Sequence, residues 1–354
     1  MYIKVPLYQY FNSFVKIHKV IQYNTMPVPK LAWKELTNDE KEWKAKLFPE
    51  KLEDEVVRYD NGFLVRRKFV NQMENFQNFV LRDDDIFIMS HPKTGSTWTQ
   101  ELVWMMVNDL DVEMSKNTKR VEKSPNIGKL RNENYGPEFF ARMEGRRVIK
   151  THLSFDFLPS NLSERCKIIY VARNPKDTVV SFYHHLKRKS DFLGNFKEFT
   201  KYFKEELLHH SYWPNLMSGW VRRHNIKNVK ILWYEDMKAD IKATIDDISE
   251  FIGQPLTEEQ KDILQDHVKF DNMKKNINAY SNTSYNTTNP ELHFMRKGIV
   301  GDWANYFDEQ TNKEYNEWIL EKIKGSGLEN LDIFKQILTE LDLDCNKVKP
   351  QIEK

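Results

Sequence analysis

A chain of 354 residues with 40% hydrophobic, 30% charged and 13% aromatic residues can bury a substantial core, which excludes disordered, collagenous and coiled-coil classes and any disulfide-stapled miniprotein. Lys and Arg total 54 against 52 Asp and Glu, so the net charge of +2 gives no broad footprint for nucleic acid or an anionic membrane, and any anion site must be local. The two cysteines, Cys166 and Cys345, lack metal-ligand spacing, and no run reaches the roughly 18 apolar residues of a membrane span, so reduced thiols and a cytosolic chain are expected.

In chain order, residues 1–25 interleave Lys4, Lys16 and Lys19 with aromatics and are expected to form a poorly ordered extension, the domain proper running from 26 to 354. Arg82 to Asp85 reads as a solvated turn. Ile86 to Met89 predicts a strand and Thr97 to Asn108 a helix. Arg147 to Lys150 predicts a strand, as does Lys167 to Ala172, the latter followed by a helix from Pro175 to Lys189. Lys230 to Tyr234 completes the strands, and Ile241 to Phe251, Thr257 to His267 and Thr311 to Ile323 predict helices. This recurrence of strand, loop and helix predicts a single α/β domain with a central parallel sheet flanked by helices. Ligands of such folds bind beyond the carboxyl ends of the strands, which directs attention to the loops after Met89, Lys150, Ala172 and Tyr234.

The first of these loops reads Ser90-His91-Pro92-Lys93-Thr94-Gly95-Ser96-Thr97-Trp98. A glycine, hydroxyls, a lysine and a helix amino terminus together make a cradle for phosphate, although a plain strand-to-helix turn capped by Ser96 or Thr97 uses the same residue types. Lys93 precedes the glycine, the reverse of a Walker A loop, which argues against a nucleoside triphosphatase. The second loop holds Lys150-Thr151-His152, where a neutral imidazole could take a proton from an acceptor hydroxyl. The third places Arg173 just outside a helix opened by Pro175, suited to a charge-assisted phosphate contact. Ser181 lies further into that helix and either faces the same anion or is solvated, while Asp177 is expected to support the helix start.

Five ordered segments, Pro92 to Trp98, Lys150-Thr151-His152, Val171 to Asp177 with Ser181, Tyr234-Glu235-Asp236-Met237 and Phe294-Met295-Arg296-Lys297-Gly298, closely resemble the signature of the cytosolic sulfotransferases. Thr99 to Trp104 resembles the insect branch, which includes a retinol dehydratase. The resemblance implies 3'-phosphoadenosine 5'-phosphosulfate as donor, with no metal, and transfer of its sulfuryl group to a hydroxyl or amine of a small acceptor. It implies that Lys93, Thr94, Gly95, Ser96 and Thr97 hold the phosphosulfate and that Arg173, Ser181, Arg296, Lys297 and Gly298 hold the 3'-phosphate. Trp98, Tyr234 and Phe270 would then contact the adenine. His152 would act as general base, with Lys93, Lys150 and Ser181 completing the catalytic set.

Two positions depart from the family pattern. Val268 stands where a hydroxyl residue is usual, so one hydrogen bond on the adenine side is missing. The short dimer motif after Trp303 is not matched by Ala304, Asp308, Glu309 and Lys313, which leaves a homodimer open. Partners are expected to be small molecules, neither nucleic acid nor membrane. The acceptor, a phenol, steroid, retinoid or other alcohol, would meet Phe182, Tyr183, Phe192 and residues between Asn117 and Arg146. A dehydratase acting through a sulfated allylic alcohol, or a silent donor- or lipophile-binding protein, are the rival readings.

Overall fold

The run from Ile86 to Ser90 is apolar at four successive positions, and all five residues are buried. Such a strand needs cover on both faces, and it receives it. The computed structural model describes residues 31–48, 56–129, 137–188, 192–223, 227–275, 293–335 and 337. Among these, β1 (Trp33–Glu35), β2 (Val56–Tyr59) and β3 (Leu64–Arg66) form an antiparallel sheet, and β4 (Ile86–Ser90), β5 (Val148–Thr151), β6 (Lys167–Ala172) and β7 (Val229–Trp233) form a parallel one in the order β5-β4-β6-β7. The segment 1–25 and Cys345 lie outside the described residues.

Alternation along the strands divides the core in two. Ile86, Ile88, Val148, Ile169 and Val171 pack on one face with the helices Ser96–Val107, Ile241–Ile252 and Glu258–His267. Phe87, Met89, Ile149, Ile168 and Tyr170 point to the other, where the helices Pro175–Arg188, Tyr212–Arg223 and Glu309–Ile323 contribute Phe182, Tyr212 and Tyr315. The parallel register, with Met89 opposite Thr151 and Tyr170, and Ala172 opposite Trp233, brings the carboxyl ends of all four strands to one rim. The chain leaves β4 for β5 on one side and returns past it to β6 on the other, which opens a crevice above β4.

One expectation about the chain before β4 is corrected. Asp85 is fully buried rather than part of a solvated turn. Its carboxylate accepts Arg147 Nε at 2.6 Å and the backbone N–H of Arg82 at 2.9 Å, fixing the entry of β4 against that of β5. The charge run hid this pair because Asp85 and Arg147 meet across 62 residues.

The antiparallel sheet was not expected. Its strands are three or four residues long, too short for alternation to register. It matters to the site because β3 ends on Arg66, and the carbonyl of Leu64 accepts the N–H of His210 at 2.9 Å, so that Arg66 and His210 both reach the crevice.

Candidate active site

A cavity of about 1200 Å³ lies at the carboxyl rim of the parallel sheet, lined by residues from all four loops that follow its strands and from the segment 293–299. Lys93, Gly95, Ser96, Thr97, Trp98 and Lys150 line it. So do His152, Arg173, Ser181, Tyr234, Phe270 and the run Arg296-Lys297-Gly298. Thr94 differs. Its side chain is buried beneath the loop, with the hydroxyl directed at the carbonyls of His91 (2.9 Å) and Val171 (2.8 Å), which leaves only its backbone for an anion.

The phosphate loop has a shape that few sequences allow. Lys93 has φ 75° and Gly95 φ 111°, so two of three successive residues sit in the left-handed region. Gly95, not Ser96 or Thr97, is the N-cap of the helix Ser96–Val107. A Cβ on Gly95 would come 2.9 Å from Cδ2 of Tyr234, so the glycine also admits the Tyr234 ring beside the loop. At the opposite wall Gly298 has φ +65°, and a Cβ there would lie 2.4 Å from the Phe270 ring. Both glycines are needed for close approach as well as for backbone conformation.

Arg173 joins these two walls. Its Nη2 donates to the carbonyl of Ile299 at 2.9 Å and Nη1 to that of Lys93 at 3.4 Å, while the guanidinium lies 4.3 Å from the Tyr234 ring centroid. Asp177, expected to support the helix start, instead accepts the N–H groups of Gly301 (2.8 Å) and Trp303 (3.0 Å) and lies 3.7 Å from Arg173. It therefore holds the segment carrying Arg296 to Gly298 against the helix Pro175–Arg188. Arg296 and Lys297 both pair with Asp302, the lysine at 2.9 Å; burial pushes the Asp302 carboxyl up, but hydrogen bonds from Lys297, Arg296 and Asn305 outweigh it and hold it at about 2.

The imidazole of His152 is held in one tautomer. Its Nδ1 lies 2.7 Å from the carbonyl oxygen of Ser90, which can only accept, so the Nδ1 proton is donated there and Nε2 keeps its lone pair. Burial, followed by the charge of Lys150, holds its pKa well below the ordinary 6.5. The imidazole is thus neutral at physiological pH. Because protonation of His152 sets in only below its depressed pKa, kcat is expected to hold as pH falls from about 8 through 6.5 and to drop only at lower pH. Replacing Lys150 by methionine removes a positive neighbour, so the acid limb of the remaining activity should move to higher pH. A limb that stays in place would remove Lys150 from this role.

A further residue fixes the loop that carries His152. The buried side chain of Asn215 donates from Nδ2 to the carbonyl of His152 at 2.8 Å and accepts the hydroxyl of Tyr170 at Oδ1. Nothing local in the sequence marks Asn215, because its contact spans 63 residues. Of the residues expected against an acceptor, Phe182 lines the cavity. Tyr183 packs instead on Phe192, Phe196 and Phe199, and Phe192 lies in the core. From the stretch after Asn117, residues such as Arg120, Ser124 and Asn126 reach the cavity. Val268 lines it as a buried apolar side chain, so no hydroxyl is offered there.

Two buried donors test the fit to a nucleotide anion. Nε1 of Trp98 and Nε of Arg173 are buried with no hydrogen-bond partner, and both side chains line the cavity. Orphaned donors on a positively charged wall suit a polar, anionic occupant.

A phosphate loop without Walker order, a neutral histidine and a basic rim, gathered at the switch point of a parallel sheet, define a transferase that works on a nucleotide-borne group. The chain belongs to the sulfotransferase family: residues 83–327 match the family's sulfotransferase domain. It is 33% identical over 279 residues to sulfotransferase 1E1 of Homo sapiens, covering 76% of this chain and 93% of that protein. It is also 33% identical over 280 residues to luciferin sulfotransferase of Photinus pyralis, covering 72% and 75%. Among solved structures it resembles retinol dehydratase in complex with androsterone and the inactive cofactor PAP, with TM-score 0.75, 28% identity and coverage of 85% of this chain and 98% of that one.

Proposed function

We propose that this sulfotransferase takes the sulfuryl group from 3'-phosphoadenosine 5'-phosphosulfate and places it on a hydroxyl of a small acceptor, with His152 as the base. The observation that carries this reading is that Lys93, Lys150, His152, Arg173 and the run Arg296 to Gly298 come from separate loops yet line one cavity. Further support comes from retinol dehydratase, whose solved complexes contain PAP.

In this reading Ser96, Thr97 and the backbone N–H groups of the Lys93 to Gly95 turn bind the phosphosulfate at a helix amino terminus. Arg173, Ser181, Arg296, Lys297 and Gly298 bind the 3'-phosphate, and Trp98, Tyr234 and Phe270 flank the adenine. His152 Nε2 takes the acceptor's hydroxyl proton as that oxygen forms its bond to sulfur. The bond from sulfur to the bridging phosphate oxygen breaks, and Lys93 and Lys150 hold the charge that moves onto the leaving 3'-phosphoadenosine 5'-phosphate. The histidine and lysines supply the base and cations of this step, so no residue is assigned to a metal. The same reading places the work in the cytosol, supported by the buried thiol of Cys166, and relates the chain to the insect branch through Thr99 to Trp104.

Calorimetric titration with 3'-phosphoadenosine 5'-phosphate, followed by assay with sulfur-labelled donor over phenols, steroids and retinol, tests the proposal. Binding and labelled organic product are expected. The likeness to retinol dehydratase makes a second outcome specific: label released as free sulfate together with a dehydrated acceptor would show elimination after transfer. Failure to bind the nucleotide would overturn the donor assignment.

A further inference from the structure

The helix Ser96–Val107 opens at the phosphate loop, and one turn further along it buries a carboxylate. Gln100, Glu101 and Trp104 lie on one side of it, and each meets the chain at Lys123 or Ser124. Gln100 Nε2 donates to the carbonyl of Ser124 at 3.1 Å, Glu101 accepts Lys123 Nζ at 2.8 Å and 2.9 Å, and that ammonium lies 4.8 Å from the centroid of the Trp104 ring. Both members of the ion pair are only 2% exposed. Such a pair adds little stability over apolar residues of similar volume, but it fixes geometry, because neither charge can leave the other.

The same carboxylate holds a third element. His267, the last residue of the helix Glu258–His267, reaches Glu101 Oε1 with Nε2 at 2.9 Å, and because a carboxylate only accepts, that nitrogen carries the proton. Ser115 Oγ also donates to Oε1. Burial pushes the Glu101 carboxyl up, but the hydrogen bond from His267 and then the charge of Lys123 outweigh it, so the group stays ionised with its pKa below the ordinary 4.5. His267 stands one residue before Val268 and three before Phe270, and both of these line the cavity on the side assigned to adenine. At its other end the helix Glu258–His267 is tied to the helix Ile241–Ile252 by Lys242, which pairs with Glu258 at 3.0 Å and Asp262 at 2.9 Å, but these carboxylates are exposed and such pairs hold little. The hydrogen bond from His267 is buried, and it runs straight to the helix that carries the phosphate loop.

We infer that Glu101 and His267 are positioning residues that set the adenine wall against the phosphate loop, and thereby set which base the donor site accepts. This rests on the donor reading of the site and adds the device behind its choice of nucleotide. Neither residue is among those lining the cavity, so both act through the residues beside them. Val268 makes the device matter more, because its apolar side chain offers the base no hydroxyl, and recognition falls to ring faces and backbone groups whose place follows from that of the chain at 267–270. Phe270 cannot adjust alone: a Cβ on Gly298 would come within 2.4 Å of its ring, so the ring is already in close contact with the opposite wall.

Equilibrium binding of 3'-phosphoadenosine 5'-phosphate and of 3'-phosphoguanosine 5'-phosphate to the full chain tests this without turnover. The two nucleotides share both phosphates, so the ratio of their affinities cancels what the phosphate-binding residues contribute and reports the base alone. Wild type should prefer the adenine nucleotide by about tenfold or more, and His267→Leu should cut that preference about fivefold, the scale of one net hydrogen bond. His267→Gln, which can place an amide N–H where Nε2 stood, should keep most of it. The double variant Glu101→Leu/Lys123→Met removes the acceptor of that hydrogen bond without burying a lone charge, and should lose the preference as His267→Leu does. The inference is overturned if wild type does not distinguish the bases, if the preference survives either His267→Leu or the double variant, or if His267→Gln fares no better than His267→Leu. Equal weakening of both nucleotides would also overturn it, because the network would then support the fold at large and not the base. Failure of wild type to bind either nucleotide would strike the donor reading instead, so the two failures are distinguishable.

Discussion

His152→Ala is expected to lower kcat by about 100- to 10,000-fold while changing the affinity for 3'-phosphoadenosine 5'-phosphate little. The magnitude follows from what the imidazole contributes. Its Nδ1 is committed to the Ser90 carbonyl at 2.7 Å, and burial and Lys150 keep the ring neutral, so Nε2 is unprotonated and able to serve as the proposed base. None of the contacts that bind the 5' or 3' end of the nucleotide in the proposed arrangement involves that nitrogen. Single-turnover assay with labelled donor and calorimetry on the same preparation separate the two effects. Equal losses in turnover and nucleotide affinity would place His152 in binding and leave the reaction without its base. Asn215→Ala should follow in the same direction with a smaller effect, since it frees the His152 carbonyl without removing the ring.

Arg173→Ala is expected to do the reverse first. The side chain bridges the carbonyls of Lys93 and Ile299 and its Nε has no protein partner, so its loss should both loosen two walls of the proposed donor site and remove the charge-assisted contact proposed there. A loss of about 2 kcal/mol, roughly 30-fold in nucleotide affinity, is the expected scale. Arg173→Lys should recover little, because an ammonium cannot reach two carbonyls and a phosphate in the plane that a guanidinium offers. Asp177 would stay buried after either change, still held by the N–H groups of Gly301 and Trp303, so the helix Pro175–Arg188 should keep its position and the thermal midpoint should shift modestly. Unchanged nucleotide affinity in Arg173→Ala would separate the residue from the donor.

How much of this was readable in advance depended on where the information lies along the chain. The parallel strands and the helices that follow them were legible because each is built from consecutive residues: Ile168 to Ala172 is a continuous apolar run, and Pro175 opens a helix whose φ it presets. The candidate donor loops were legible for the same reason. Glycine, lysine and hydroxyls must sit next to one another to wrap an anion, so the spacing carries the chemistry. Asp85 was misread because its partner Arg147 arrives from a distant strand, and a run of acids gives no hint which member turns inward. Tyr183 and Phe192 were assigned to the cavity on residue type, but aromatics serve cores and pockets alike, and both were taken by the packing around Phe199.

From the sequence alone came an α/β chain with a parallel sheet and an ordered set of candidate anion-binding loops at its carboxyl edge, since periodicity and contiguous motifs are local properties. The tertiary structure alone supplied the Asn215 contact to the His152 carbonyl and the close approach of Phe270 to Gly298. These are contacts between residues that the chain holds far apart, and the free energy of such a contact depends on burial and on the charge of its neighbours, quantities that come into being when the chain closes on itself.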